Sequence, residues 1–148
     1  MRKENLIKDV GGDSSGASGG WNIIFGEQNP SIPQINKGNV VGGRKPFEAG
    51  DYPISYLQKI KKNPLYKHEQ GLTPEDWVTY ALSHLQEYNE ILDDWEKGSL
   101  CYLLGAYHKT SGQVPSVHFS FRNRQVDFGS DRLKSVMEFY GTRTVVSL

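Results

Sequence analysis

One segment constrains the fold more than any other, because it carries a helix start signal, an amphipathic interior and a stop signal. It is GLTPEDWVTYALSHLQEYNEILDDWEKGS, residues 71–99. Thr73 is an N-cap, Pro74 takes the first helical position, and Asp76 completes a capping box. The spacing of the apolar residues that follow predicts one long helix, which buries them and ends at Gly98. These residues are Val78, Ala81, Leu85, Tyr88, Leu92 and Trp95.

Weaker patterns surround this helix and set the expected fold class. Proline signals bracket a short helix over 54–61, and an apolar run predicts a second helix over 99–109. Alternation over 116–130 predicts strands with a turn near Asn123, and a last helix is expected from 130 or 131 to 141 before a closing strand. We expect the last helix to bury Leu133, Val136, Met137 and Tyr140. The predicted class is α+β, with a small antiparallel sheet packed against the long amphipathic helix and shorter helices.

The beginning of the chain has a different composition. Ten of the sixteen glycines lie in the first fifty residues, and glycine and proline both oppose helix formation. We therefore divide the chain into an extended N-terminal arm, residues 1–52, and a compact α+β domain, residues 53–148. Spaced apolar residues in such an arm suit docking on neighbouring subunits, although an arm that wraps its own domain is the alternative. The predicted anchors are Trp21, Ile24, Phe25, Ile32, Ile35 and Phe47.

The candidate catalytic residues do not form a convincing active site. Ser14 lies in a G-x-S-x-G match, but the strand and helix that hold a nucleophile elbow are not predicted on either side of it. Cys101 is the single cysteine, and on the predicted helix it stands two turns, about 10 Å, from His108. His118 completes the set of side chains that an enzyme would have to use. We therefore predict no catalytic residue and no cofactor.

The long helix also carries a metal-like group of side chains, His84, Glu87, Glu90 and Asp94. A metal site in a helical bundle needs ligands that project inward from several helices. The predicted apolar stripe points away from the three acids, so we expect them to form a solvated acidic face. Glu87, Glu90 and Asp94 are thus predicted as a contact surface for a partner, and no metal is expected.

The charge balance restricts the class of partner. Lysine plus arginine equals aspartate plus glutamate at 17 each, whereas proteins that neutralise many phosphates are usually basic. Nucleic acid is therefore the less favoured partner. A basic group contains Lys59, Lys61, Lys62, Lys67 and His68, and Arg122 and Arg124 form a second one. The favoured interpretation is that a basic patch meets the acidic helix of a neighbouring copy.

These observations favour a non-enzymatic structural subunit of a large multi-protein assembly, present in several copies, with a virion or a phage tail or neck as the first expectation. The alternatives are a small soluble inhibitor or adaptor that binds one host protein, and a small hydrolase-type enzyme. The sequence shows no secretion signal and no apolar run long enough to cross a membrane, so a location in the cytoplasm or in the virion is expected.

Overall fold

The structure, a computed structural model, describes residues 22–23 and 29–147. The class is α+β, and the described residues form two α-helices and two sheets. The helices are α1, Pro53–Lys62, and α2, Pro74–Tyr88. Ser14 and the predicted anchors Trp21, Ile24 and Phe25 lie outside the described residues. The described residues include no helix long and apolar enough to span a membrane.

Seven strands form the two sheets: β1 Asn22–Ile23, β2 Glu69–Gly71, β3 Leu100–Tyr102, β4 Gln113–Ser120, β5 Gln125–Arg132, β6 Tyr140–Thr142 and β7 Thr144–Ser147. The three-stranded sheet has the order β1-β7-β2, and both of its pairs are antiparallel. The four-stranded sheet has the order β5-β4-β3-β6, with β3 and β6 parallel. The expected single antiparallel sheet is therefore corrected to two sheets, one of them mixed.

Helix α2 begins as predicted but ends early. The Thr73 hydroxyl accepts from the backbone N–H of Asp76, whose carboxylate accepts from the backbone N–H of Thr73, so the capping box is present. Asn89, in the left-handed conformation, ends the helix. The prediction that the helix continues to Trp95 is wrong, since Trp95–Lys97 is a separate 3₁₀ turn.

The buried face of α2 also differs from the predicted stripe. Trp77, Tyr80 and His84 are buried, whereas Val78 is 40% exposed and Leu85 is 43% exposed. The helix carries apolar side chains on two neighbouring faces, and contact with the rest of the fold decides which of them becomes core.

Two other predicted helices are absent from the structure. Residues 100–102 form strand β3, and all three are buried, because β3 lies between β4 and β6. Strand β5 runs on to Arg132, and Val136 and Met137, expected to be buried, are exposed. By contrast, helix α1, the turn between β4 and β5, and the closing strand β7 agree with the predictions.

The described part of the arm packs onto the domain. Ile32 and Ala49 belong to one core cluster with Leu72, Trp77 and Val145. Phe47 belongs to a second cluster, in which its ring stacks on Tyr66 at 4.6 Å between centroids. Ile32 and Phe47 are therefore core residues of their own chain, a correction to their predicted role as anchors on a neighbour. Ile35 remains 58% exposed.

A buried ion pair joins the arm to the core. Arg143 Nη2 donates to Asp93 Oδ1 at 2.9 Å and to the carbonyl oxygen of Pro30 at 3.0 Å. The same carboxylate accepts from Trp77 Nε1 and from the Ser99 hydroxyl, each at 2.9 Å. Asp93 raises the pKa of the Arg143 guanidinium against the opposing effect of burial. Both carboxylate oxygens of Asp93, and Nε and Nη2 of Arg143, therefore have hydrogen-bond partners, as buried charges require.

Candidate functional site

A groove with a volume of about 600 Å³ lies between α1, β2 and the short 3₁₀ turn Leu104–Ala106. Its apolar part is formed by Leu57, Ile60, Leu104 and Tyr107, and its basic part by Lys61, Lys62, Lys67 and His68. We call this feature the basic groove. Of the basic group predicted between positions 59 and 68, all residues except Lys59 line this groove.

The end of helix α1 places the lysines. The last turn of α1 is basic, which suits the negative end of the helix dipole. Asn63 then caps a 3₁₀ turn, Pro64–Tyr66, by accepting from the backbone N–H of Leu65 at 3.0 Å. This turn returns the chain so that Lys67 lines the same groove as Lys61 and Lys62.

Two glycines form one wall of the groove. A Cβ atom added to Gly71 would lie 2.4 Å from Cβ of Leu104, and one added to Gly105 would lie 2.4 Å from the carbonyl oxygen of Gly71. The backbone N–H of Gly105 also donates to the carbonyl oxygen of Leu72 at 3.0 Å. The close backbone approach that holds this wall in place therefore requires residues without a side chain.

The charge of the groove is positive because its one lining carboxylate is already paired. Glu69 accepts two hydrogen bonds from Arg44, at 2.5 and 2.6 Å, and a further one from the Thr144 hydroxyl. Among the described side chains, no carboxylate lies within ion-pair distance of Lys62 or Lys67. Lys61 Nζ stands 6.0 Å from the centre of the Tyr107 ring. The groove therefore presents uncompensated cations above an apolar floor.

The second candidate surface is the C-terminal end of α2. Leu85, Glu87, Tyr88 and Glu90 are all exposed there, and we call them the acidic tip. No basic residue lies in the last turn of α2. From Glu69 to Glu96 the sequence contains no lysine or arginine. Because the C-terminus of a helix is itself electronegative, carboxylates at this position add to the negative charge and oppose helix stability.

The histidine beneath the acidic tip does not neutralise it. His84 Nε2 lies 3.9 Å from a carboxylate oxygen of Glu90. Burial, with the positive charge of Arg143, lowers the pKa of His84 below its usual value of 6.5, so the ring is neutral at pH 7. In the part of the chain that the structure describes, Glu87 and Glu90 have no lysine or arginine partner.

The three predicted acidic residues separate in the structure. Glu87 and Glu90 are exposed, whereas Asp94 is buried, a correction to its predicted place on the acidic face. Its carboxylate accepts from the backbone N–H of Glu96 at 3.0 Å and caps the 3₁₀ turn. Burial raises the pKa of Asp94.

The candidate catalytic side chains do not combine into a reactive site. Cys101 is fully buried in β3, and burial raises the pKa of its thiol above the ordinary value. His108 accepts from the backbone N–H of Ser111, and His118 Nε2 lies 3.7 Å from Asp127. Within the described ranges, no three His, Cys, Asp or Glu side chains converge where a metal ion could bind.

The sequence patterns did not predict every residue of the two candidate surfaces. Leu82, 58% exposed on α2, does not belong to the predicted stripe, and the structure places it beside Val78 and Leu85 on the exposed face. The predicted helix over 99–109 does not bring Leu104 and Tyr107 to a groove, whereas the 3₁₀ turn Leu104–Ala106 of the structure does. Comparisons with protein-family models, with curated proteins and with solved structures found no match.

Proposed function

We propose that the protein is a non-enzymatic structural subunit of a multi-protein assembly in which neighbouring subunits cover helix α2. The observation that carries the proposal is the exposed apolar stripe of this helix. Val78, Leu82 and Leu85 repeat at helical spacing and are 40%, 58% and 43% exposed. A second apolar stripe, exposed beside the face that packs in the core, is typical of a surface that another protein covers.

The described arm residue Ile35 adds a second apolar contact, and the predicted anchors Trp21, Ile24 and Phe25 stay part of the proposal. A virus particle or a phage tail or neck is the assembly that the sequence analysis favours. An inhibitor or adaptor would instead form a complex with one copy of a different protein.

The mass of the complete chain in solution tests the proposal. Light scattering after size exclusion, over a range of concentrations, should give multiples of the 16.7 kDa chain mass. Leu82→Glu places a charge in the exposed stripe and should lower the mass towards that of one chain. The control is Val136→Glu, at a residue that is 40% exposed outside both helix α2 and the N-terminal arm, and it should keep the wild-type mass.

A wild-type protein that stays monomeric at every concentration, and in particles isolated from its natural source, would contradict the proposal. A stable complex of one copy with one unrelated protein would support the adaptor alternative instead.

A further inference from the structure

We propose that the acidic tip of one copy docks in the basic groove of the next copy, so that subunits join head to tail. This inference rests on the proposed function and names the two surfaces through which the assembly forms. The tip consists of Leu85, Glu87, Tyr88 and Glu90. The groove consists of Lys61, Lys62, Lys67 and His68 above the apolar floor already described.

The two surfaces are complementary in charge. In the described structure Glu87 and Glu90 have no lysine or arginine partner, the His84 ring near Glu90 being neutral at pH 7, and Lys62 and Lys67 have no carboxylate partner. Each set of charges also lies at a helix C-terminus: the lysines stabilise the end of α1, whereas the carboxylates disfavour the end of α2. Docking places the Glu87 and Glu90 carboxylates beside cations. These cations offset the repulsion between the carboxylates and the negative end of α2, and they favour one orientation of the two molecules.

The surfaces are also complementary in their apolar parts. Leu85 is 43% exposed at the tip, next to the two carboxylates. The groove offers the apolar side chains of Leu57, Ile60, Leu104 and Tyr107 within a volume of about 600 Å³. A helix end with both apolar and acidic side chains therefore meets a groove with both apolar and basic ones, as an interface core and its polar rim require.

The occupant of the groove cannot be the tip of the same molecule. Thr73, the N-cap of α2, lines the groove, and the tip lies at the opposite end of this fifteen-residue helix. A helix of that length holds its ends about 22 Å apart. The contact must therefore form between two molecules.

In the proposed head-to-tail arrangement, each molecule places its tip in the groove of one neighbour and receives the tip of another neighbour in its own groove. Such a contact is heterologous, and it repeats into a ring or an open filament. This geometry gives the repeated contacts that a structural subunit needs.

The first measurement uses charge reversal in the complete chain. Lys62→Glu with Lys67→Glu alters the groove, and Glu87→Lys with Glu90→Lys alters the tip. Each double variant should weaken self-association at least about tenfold, the loss expected from a few opposed charges at an interface. A chain with all four changes has its charges exchanged between the two surfaces, and it should recover association close to that of the wild type.

The matched control is Lys37→Glu with Lys134→Glu, which changes the net charge as much at two exposed lysines outside the groove. It should leave association unchanged. All six altered positions are exposed, and thermal unfolding of each variant checks that the fold is retained. For the unaltered protein, raising the salt concentration from about 0.05 M to about 0.5 M should weaken association, because salt screens exposed charges.

The outcomes separate this inference from the proposed function. If the wild type associates but the groove variant associates equally well, the docking pair is wrong and the proposed function stands. The pair is also wrong if the fourfold variant stays monomeric. If the wild type does not associate at all, both proposals fail. Binding of a single-stranded RNA that is lost in the groove variant, without self-association, would replace this inference with a nucleic-acid site.

Discussion

Asp93 and Glu90 lie three positions apart in the sequence, yet their carboxylates are used in opposite ways. Asp93 is buried, and its oxygens accept from Arg143, Trp77 and Ser99. Glu90 is exposed at the acidic tip, and its nearest cationic candidate, His84, is neutral at pH 7. The comparison separates two tasks: carboxylates with partners hold the arm and the core together, and carboxylates without partners are available to another molecule.

The largest effect should follow from breaking the buried pair. Arg143→Met leaves the Asp93 carboxylate buried without its cation, which should lower the free energy of unfolding by about 3–5 kcal/mol. Chemical denaturation measures this change. Lys97→Met is the matched control, because Lys97 is exposed and stands 3.9 Å from Asp94, and it should cost about 1 kcal/mol or less. Equal costs for the two variants would contradict the comparison.

A smaller effect should follow from filling the wall of the basic groove. Gly71→Ala forces a methyl group against Leu104 and the backbone of Gly105, and overpacking of this kind costs about 1–3 kcal/mol. We expect weaker self-association as well, because the wall must shift. Gly129→Ala is the control, since its Cβ would meet the Ser116 hydroxyl at 3.2 Å on an exposed strand. If both variants unfold at the same denaturant concentration, the wall is not tightly packed.

The sequence could predict the parts of the fold that carry local signals. Thr73, Pro74 and Asp76 predicted the start of α2. The basic group at 59–68 was visible in the sequence, but the groove that four of its five members line was not predicted. Strand β3 could not be predicted, because a short apolar run fits a buried strand and a helix equally well. The buried face of α2 could not be predicted either, since His84 counted as polar and became core. Both outcomes depend on contacts with residues distant in the sequence.

A third prediction concerns the dependence of stability on pH. It involves His84, which lies near Glu90 of the acidic tip and feels the charge of Arg143 in the buried ion pair. Because burial lowers the pKa of this ring in the folded protein, the unfolded chain binds more protons as the pH falls below about 6.5. The stability that the neutral His84 ring contributes is therefore present above pH 6.5, and it is lost as the pH falls towards the lowered pKa of the folded state. Thermal unfolding between about pH 7.5 and pH 5 should show this loss.

His84→Phe keeps an aromatic ring between Tyr80 and Tyr88 but has no group to protonate. This variant should show a weaker dependence of stability on pH. His108→Phe, outside the core, is the control that should keep the wild-type dependence. An unchanged slope for His84→Phe would show that the ring is already protonated or solvated in the fold.

The smallest effect should come from the exposed stripe. Leu85→Ala should change the free energy of unfolding of the dilute, dissociated chain by about 1 kcal/mol or less, since the side chain is 43% exposed. Trp77→Ala, on the buried face of the same helix, should cost about 3–5 kcal/mol. A cost for Leu85→Ala close to that for Trp77→Ala would mean that the stripe is covered within the single chain.

The place of β7 has a consequence for the order of events during synthesis. This strand is the central one of its sheet, between β1 and β2, and Arg143 immediately before it reaches back 113 positions to Pro30. The three-stranded sheet and the Arg143–Asp93 ion pair that joins the arm to the core cannot form until residues 143–147 have left the ribosome. Until then the nascent chain exposes β2, the partner of β7, and the α2 face whose Trp77 and Tyr80 share a core cluster with Val145. Pairings of such long range form slowly.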